Sequence, residues 1–163
     1  MTTERIEVSR TIATDPATIF RVLSDPHGHV AIDSTGMLQD ATGEPATKVG
    51  DTFVIHMDRE ALNDYPMGRY DVTVDICTFV QDREIAWTIL GQIRPQIGHV
   101  YGYTLEPVED GTLVTQYYDW SNIDPEWKKA AIFPIISELA LRATLGILAR
   151  TVVPHSGSGS ATT

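Results

Sequence analysis

His29 and Asp33 stand four residues apart, and no other pair in this chain has residue types and spacing so suited to acid–base chemistry. On a helix they share a face, and an imidazole held by a carboxylate is a usable general base. The same spacing suits a structural hydrogen bond that pins a short helix to the loop after it. Structural pairs perturb titration as catalytic ones do. His27 adds a second imidazole. His-x-His on a helix sends its rings in different directions, and no HExxH or cysteine set accompanies it, so no metal site is expected. Tyr101 and Tyr103 share one face of a strand with His99 and Leu105. Rings with a polar tip suit a pocket for an oxygenated aromatic or lipid-like molecule, and they suit core packing equally well. Asp119 lies among Tyr117, Tyr118 and Trp120. Facing inward it is a buried carboxylate in need of a partner, and a one-residue change of strand parity puts it outside. Arg94 is a candidate pocket cation in a loop, where arginines are more often exposed. The chain has no Ser-His-Asp ordering, Gly-rich phosphate loop or nucleotide motif, so no cofactor is expected.

These residues need elements to hold them. Residues 6–13 alternate and predict a strand. Asp15-Pro16 is a helix start, with the carboxylate as cap and the proline in the first turn. Ile19, Phe20 and Leu23 give that helix its apolar face, and it stops near Asp25-Pro26. Residues 27–32 predict a short second helix, and residues 34–49 read as loop. From Gly50 the period is two: Phe53, Ile55 and Met57, then Tyr70, Val72, Val74 and Ile76, then residues 85–90. Residues 99–106 and 112–120 flank the turn Glu109-Asp110-Gly111 as a hairpin. Strands joined in sequence by short turns make an antiparallel meander.

Asp124-Pro125 repeats the helix start, and Pro134 breaks or kinks that segment. The stretch after Pro134 predicts the longest helix, with Ile136, Leu139, Ala140, Ala143 and Ile147 on one face and Leu141, Leu145, Leu148 and Val152 on another. Two apolar faces call for cover on two sides. The expected fold is α+β, in the order β-α-α-β5-α, with one curved antiparallel sheet wrapped around the C-terminal helix.

The 163 residues make one domain, 1–153, and the Gly/Ser/Thr-rich residues 154–163 read as a disordered tail. Twelve basic against twenty-two acidic residues give a net charge of −10, which argues against nucleic acid and against anionic membrane surfaces. The single cysteine, Cys77, sits in an apolar run and reads as a small buried hydrophobe. No signal-peptide core and no membrane-length apolar run is present, so membrane insertion is not expected and the expected location is cytoplasmic.

The element order, together with the stretches VSRTIATDPATIFRVLSDPHGHVAIDSTGML, VGDTF, DREIAW and GHVYGYTLEPVEDGTLVTQYYDWS, resembles the START/polyketide-cyclase (SRPBCC, helix-grip) superfamily. The likeness extends to an actinobacterial-type branch that holds polyketide cyclase/dehydrase and lipid-transport proteins. It implies a helix-grip domain with an internal cavity, binding a small hydrophobic or aromatic molecule as carrier or sensor. The alternative is a cyclase/dehydratase-type enzyme using the same cavity, with His29 and Asp33 as catalytic residues, since His-x-x-x-Asp before Gly36-Met37-Leu38 resembles a shared feature of the branch. The expected lining is Phe53, Met57, Val72 and Trp87 from the sheet, Tyr101, Tyr103 and Asp119 beside them, and Ile136 and Ala140 from the helix. In the branch the two tyrosine positions resemble tryptophans, and tyrosine implies a more polar or roomier cavity. A homodimer is compatible with the sequence.

Overall fold

The computed structural model describes residues 3–153. The expected disorder of residues 154–163 lies outside the described residues. Seven strands form a single antiparallel sheet: β1 (Arg5–Ile12), β2 (Leu38–Thr42), β3 (Thr52–Asp58), β4 (Arg69–Val80), β5 (Glu84–Leu90), β6 (Val100–Val108) and β7 (Gly111–Asp119). Their spatial order is β1-β7-β6-β5-β4-β3-β2, so the first strand closes the far edge beside the last. The helices are α1 (Pro16–Ser24), α2 (Pro26–Ala31), α3 (Pro125–Ala130) and α4 (Glu138–Val152). Each of the first three starts at an Asp-Pro pair. The carboxylates of Asp15, Asp25 and Asp124 accept the backbone N–H of Thr18, His27 and Glu126, filling donors that a helix start leaves unmet.

Alternation along the strands gives the curved sheet a dry concave face. Val8, Ile12, Phe53, Ile55, Val74, Ile76, Ile85, Trp87, Tyr103, Leu105, Val114 and Tyr118 are all buried there or against it. A bulge between Ile76 and Thr78 resets the phase of β4, and Phe79 then packs edge-on against Phe20 of α1, 5.3 Å between centroids. Cys77 follows the inward Ile76 and so points outward: the thiol is exposed, not a core residue as the apolar run suggests.

Two other elements differ from expectation. Residues 34–49 contain β2, a short edge strand whose only half-buried or buried residues are Leu38 and Ala41, and a break in register between Leu38 and Asp40 blurs its alternation. The C-terminal helix starts at Glu138, not directly after Pro134, because Ser137 Oγ accepts the Ala140 N–H and fixes the first turn. That helix is also covered on one side only. Leu141, Leu145 and Leu148 are fully buried against β1, β7 and α1, whereas Leu139 is 77% exposed and Ala143 is exposed as well. Ile136 therefore precedes the helix, where it is half-buried against the core.

Candidate functional site

The centre of the concave face is a continuous aromatic layer. Register places Trp87 opposite Tyr101, and Tyr101 opposite Tyr118, across β5, β6 and β7. Trp87 stacks near-parallel on Tyr101 and on Tyr103, with centroids 6.1 and 5.9 Å apart. Tyr118 lies 4.8 Å from Tyr101 and 5.6 Å from Trp120. Offset stacks of this kind are favoured beyond simple burial. Burial pushes the hydroxyls of Tyr101, Tyr103 and Tyr118 well above the usual phenol range, so all three stay protonated.

The polar atoms of this layer are incompletely matched. Neither the Tyr101 nor the Tyr103 hydroxyl has a hydrogen-bond partner among the described residues. Gln116, directly across from Tyr103, has a fully buried Oε1 with none. An orphaned buried acceptor costs on the order of 1–3 kcal/mol, which makes such an atom informative.

His29 and Asp33 are not brought together. His29 is buried between Phe53 and Trp87, with ring centroids 5.0 and 4.6 Å away, and its Nε2 donates to the Leu23 carbonyl at 2.7 Å. Burial lowers its pKa to about 4, against the smaller raising effects of that bond and of Asp25, so the ring is neutral at pH 7. Asp33 turns the other way. Its carboxylate accepts the N–H groups of Thr35, Gly36 and Leu38 and the Thr35 hydroxyl, which shapes the turn into β2. The expected catalytic dyad is thus two separate structural devices. His27 is exposed beside Asp40, pointing away from His29 as the helix period requires.

Asp119 faces outward. It accepts Ser121 N–H and Oγ–H and meets the Arg5 guanidinium at 3.4 Å, so it does not share the face of Tyr101 and Tyr118. Partial burial raises its carboxyl pKa, but these bonds outweigh it and hold the value below the usual range. Arg94 bonds the Gly91 and Ile93 carbonyls on the surface. Ala140 meets the 34–37 loop through its carbonyl, which accepts from Ser34 Oγ. Phe53, Trp87, Tyr101 and Tyr103 are grouped as parity implies, with Met57 at the core's margin.

The opening lies at one end of this layer, between β4, β5 and the segment 91–98. It is an apolar pocket of about 60 Å³ whose lining includes Met67, Val72, Ile89, Ile97 and His99. That volume is far below the several hundred Å³ of an ordinary ligand site. Among the expected lining residues only Val72 borders it. Exposed Leu62, Tyr65, Met67 and Ile93 also carry apolar surface in the loops at this end. The 91–98 segment is braced in place: the Gln96 amide bonds both N–H and carbonyl of Gly91, Trp127 Nε1 donates to Pro95, and Asp124 N–H donates to Ile97. His99 connects pocket and layer. It is buried, packs edge-on against Tyr101, Tyr118 and Phe133, and its Nδ1 lies 2.7 Å from the Tyr118 hydroxyl. Burial lowers its pKa to about 4. Its face could be read from the parity of Tyr101 and Tyr103. Its partner Tyr118, and Gln116, could be placed only once the parity of β7 was fixed.

A second constellation lies on the opposite, open face. Thr42 Oγ1, His56 and Asp71 form a chain across β2, β3 and β4, at 2.7 and 2.8 Å. The order is nucleophile, base, orienter. The contacts lie in solvent on the open face of the sheet, where nothing shields a reacting group from water. The chain ties the three strands together. Among the described residues no group of three His, Cys, Asp or Glu side chains is placed to hold a metal, and no helix is long and apolar enough to cross a membrane.

No family model matches the chain, and no curated protein matches it. Solved structures do. A protein from Chromobacterium violaceum aligns over 93% of this chain and 99% of its own, at 16% identity and a TM-score of 0.65. An AHSA1-like protein from Aeromonas hydrophila aligns over 91% of each chain, at 14% identity and a TM-score of 0.59. The Aha1 dimer from Colwellia psychrerythraea covers 93% of this chain and 96% of that one, at 18% identity and a TM-score of 0.59. The fold is therefore the α+β helix-grip fold that AHSA1-like proteins adopt. At these identities the likeness concerns the fold alone.

Proposed function

We propose that this chain takes up a small, mostly apolar or aromatic molecule carrying oxygen functions, into the concave interior by way of the pocket at His99, as a carrier or sensor. The observation that carries the reading is the aromatic layer with a buried polar atom left over, the orphaned Gln116 Oε1 across from Tyr103, beside Tyr101 and Tyr103 hydroxyls that bond nothing among the described residues. A hydrophobic core built only for stability has no use for such atoms. The resemblance to the cyclase and lipid-transport branch supports the same reading. The pocket of about 60 Å³ admits only the end of a ligand, so uptake also displaces Met67 and the 131–137 segment that packs over His99 through Phe133. The dimeric Colwellia structure supports self-association as a companion proposal, which light scattering of the purified chain checks. The main test is titration with the neutral fluorophore N-phenyl-1-naphthylamine, followed by displacement with sterols, fatty acids, flavonoids and aromatic polyketides. One saturable site, displaced by at least one class and weakened by Tyr101→Ala, is expected. Absence of any saturable binding, with no thermal shift from any class, overturns the reading.

A further inference from the structure

The geometry points to His99 Nε2 as a hydrogen-bond donor at the pocket mouth, reading a carbonyl or similar neutral oxygen on the ligand. This rests on the reading that the interior takes up a small apolar molecule, and it adds which functional group enters last. His99 is only 4% exposed, yet it lines the pocket. Its Nδ1 is occupied by Tyr118. Nε2 has no partner among the described residues, and it is not one of the sealed orphans, since Gln116 Oε1 alone holds that position. Nε2 is thus the ring nitrogen left for the pocket. The neighbouring hydroxyl selects the tautomer. The Tyr118 phenol is protonated, and His99 Nδ1 is its hydrogen-bond partner among the described residues, so it directs its hydrogen to Nδ1 and the proton of the neutral imidazole then resides on Nε2.

The rest of the lining narrows the partner. The pocket has no Lys, Arg, Asp or Glu. Gln96 is tied to Gly91, and the Tyr70 hydroxyl accepts from Arg59. A charged end group entering here loses water and gains no counter-ion, so carboxylates and amines are disfavoured. A neutral acceptor gains one bond to a buried donor, worth about three- to tenfold in affinity.

Two measurements test this. Long-range ¹H–¹⁵N correlation of the histidine rings should show His99 as the Nε2–H tautomer at pH 7, changing in Tyr118→Phe; an Nδ1–H tautomer in the wild type overturns the proposal. Binding of 2-hexanone, hexane and hexanoate by ligand-observed NMR should show the ketone about three- to tenfold tighter than the alkane, with hexanoate weakest. His99→Phe should abolish the ketone's advantage while hexane still binds, and His99→Gln, which keeps an amide donor near Nε2, should restore part of it. Equal binding of ketone and alkane overturns the donor role and leaves the binding function standing. Strongest binding of hexanoate also overturns it. Failure of all three probes overturns both.

Discussion

At the scale of single residues, the two buried histidines set a pH dependence. His29 and His99 each have a pKa near 4 in the folded chain because burial disfavours the cation. In the unfolded chain the value is about 6.5. Above that pH both states are neutral and neither ring contributes. As pH falls from 6.5 towards 4, the unfolded chain binds protons that the folded chain refuses, so stability is lost across that window. Each ring accounts for on the order of 3 kcal/mol at the acid end. Urea unfolding at pH 7, 6 and 5 should show this slope. His29→Leu, although less stable at pH 7 for want of the bond to Leu23, should show a slope smaller by nearly one proton. An unchanged slope contradicts the burial assignment. A second residue prediction concerns Gly102, where the outward ring of Tyr117 lies against the backbone and reaches Glu84 at 2.7 Å with Arg5 stacked above it. A Cβ at Gly102 collides with that ring. Gly102→Ala should destabilise by about 1–3 kcal/mol, read as a lowered Tm.

At the scale of elements, the strands and helix starts were legible in the sequence because each has a local cause. Alternation in Tyr70–Ile76 and Asp-Pro at Asp15 and Asp124 act within a few residues, and the structure places their elements accordingly; Asp25-Pro26, read as a stop, also caps the start of α2. The features that escaped depend on distant partners. The edge strand β2 exists because β3 pairs with it, not because LQDAT alternates. Cys77 faces outward by its strand parity despite an apolar neighbourhood, and Asp119 faces outward for reasons of register, which a one-residue shift decides. His29 and Asp33 have the right spacing, but a carbonyl six residues back and a turn five residues ahead claim them separately. The C-terminal helix shows the limit most clearly: its composition offers two apolar faces, and only the sheet edge and α1 determine which is used. Leu145→Ala should therefore cost about 2–5 kcal/mol, while Leu139→Ala should stay within about 0.5 kcal/mol. Equal effects in chemical denaturation would mean that Leu139 is covered by something besides this chain, and a shift in oligomeric state would then accompany the mutation.

At the scale of the whole molecule, charge decides what can approach. The net charge is −10, and the cations that remain are dispersed. Arg5, Arg59, Arg69, Lys129 and Arg142 are each paired with a carboxylate, and most of these pairs are exposed. A nucleic-acid surface needs several free cations along one face, since each phosphate contact contributes through counterion release. Here a phosphate would have to displace a carboxylate at Arg5, Arg59, Arg69 and Arg142, while ten excess negative charges repel it from the whole surface. Random duplex and single strands should therefore show no retardation at about 150 mM salt, the physiological range. The same imbalance predicts how the fold answers to salt. Exposed pairs contribute at most about 1 kcal/mol each and weaken on screening, but the repulsion among the unpaired acids weakens too, and they outnumber the pairs. Raising sodium chloride within the range where the Debye length falls from about 30 to 8 Å should thus raise Tm. A falling Tm would mean that the surface pairs outweigh the excess charge. Micromolar, salt-sensitive DNA binding would mean that a cation cluster forms which the folded surface does not present.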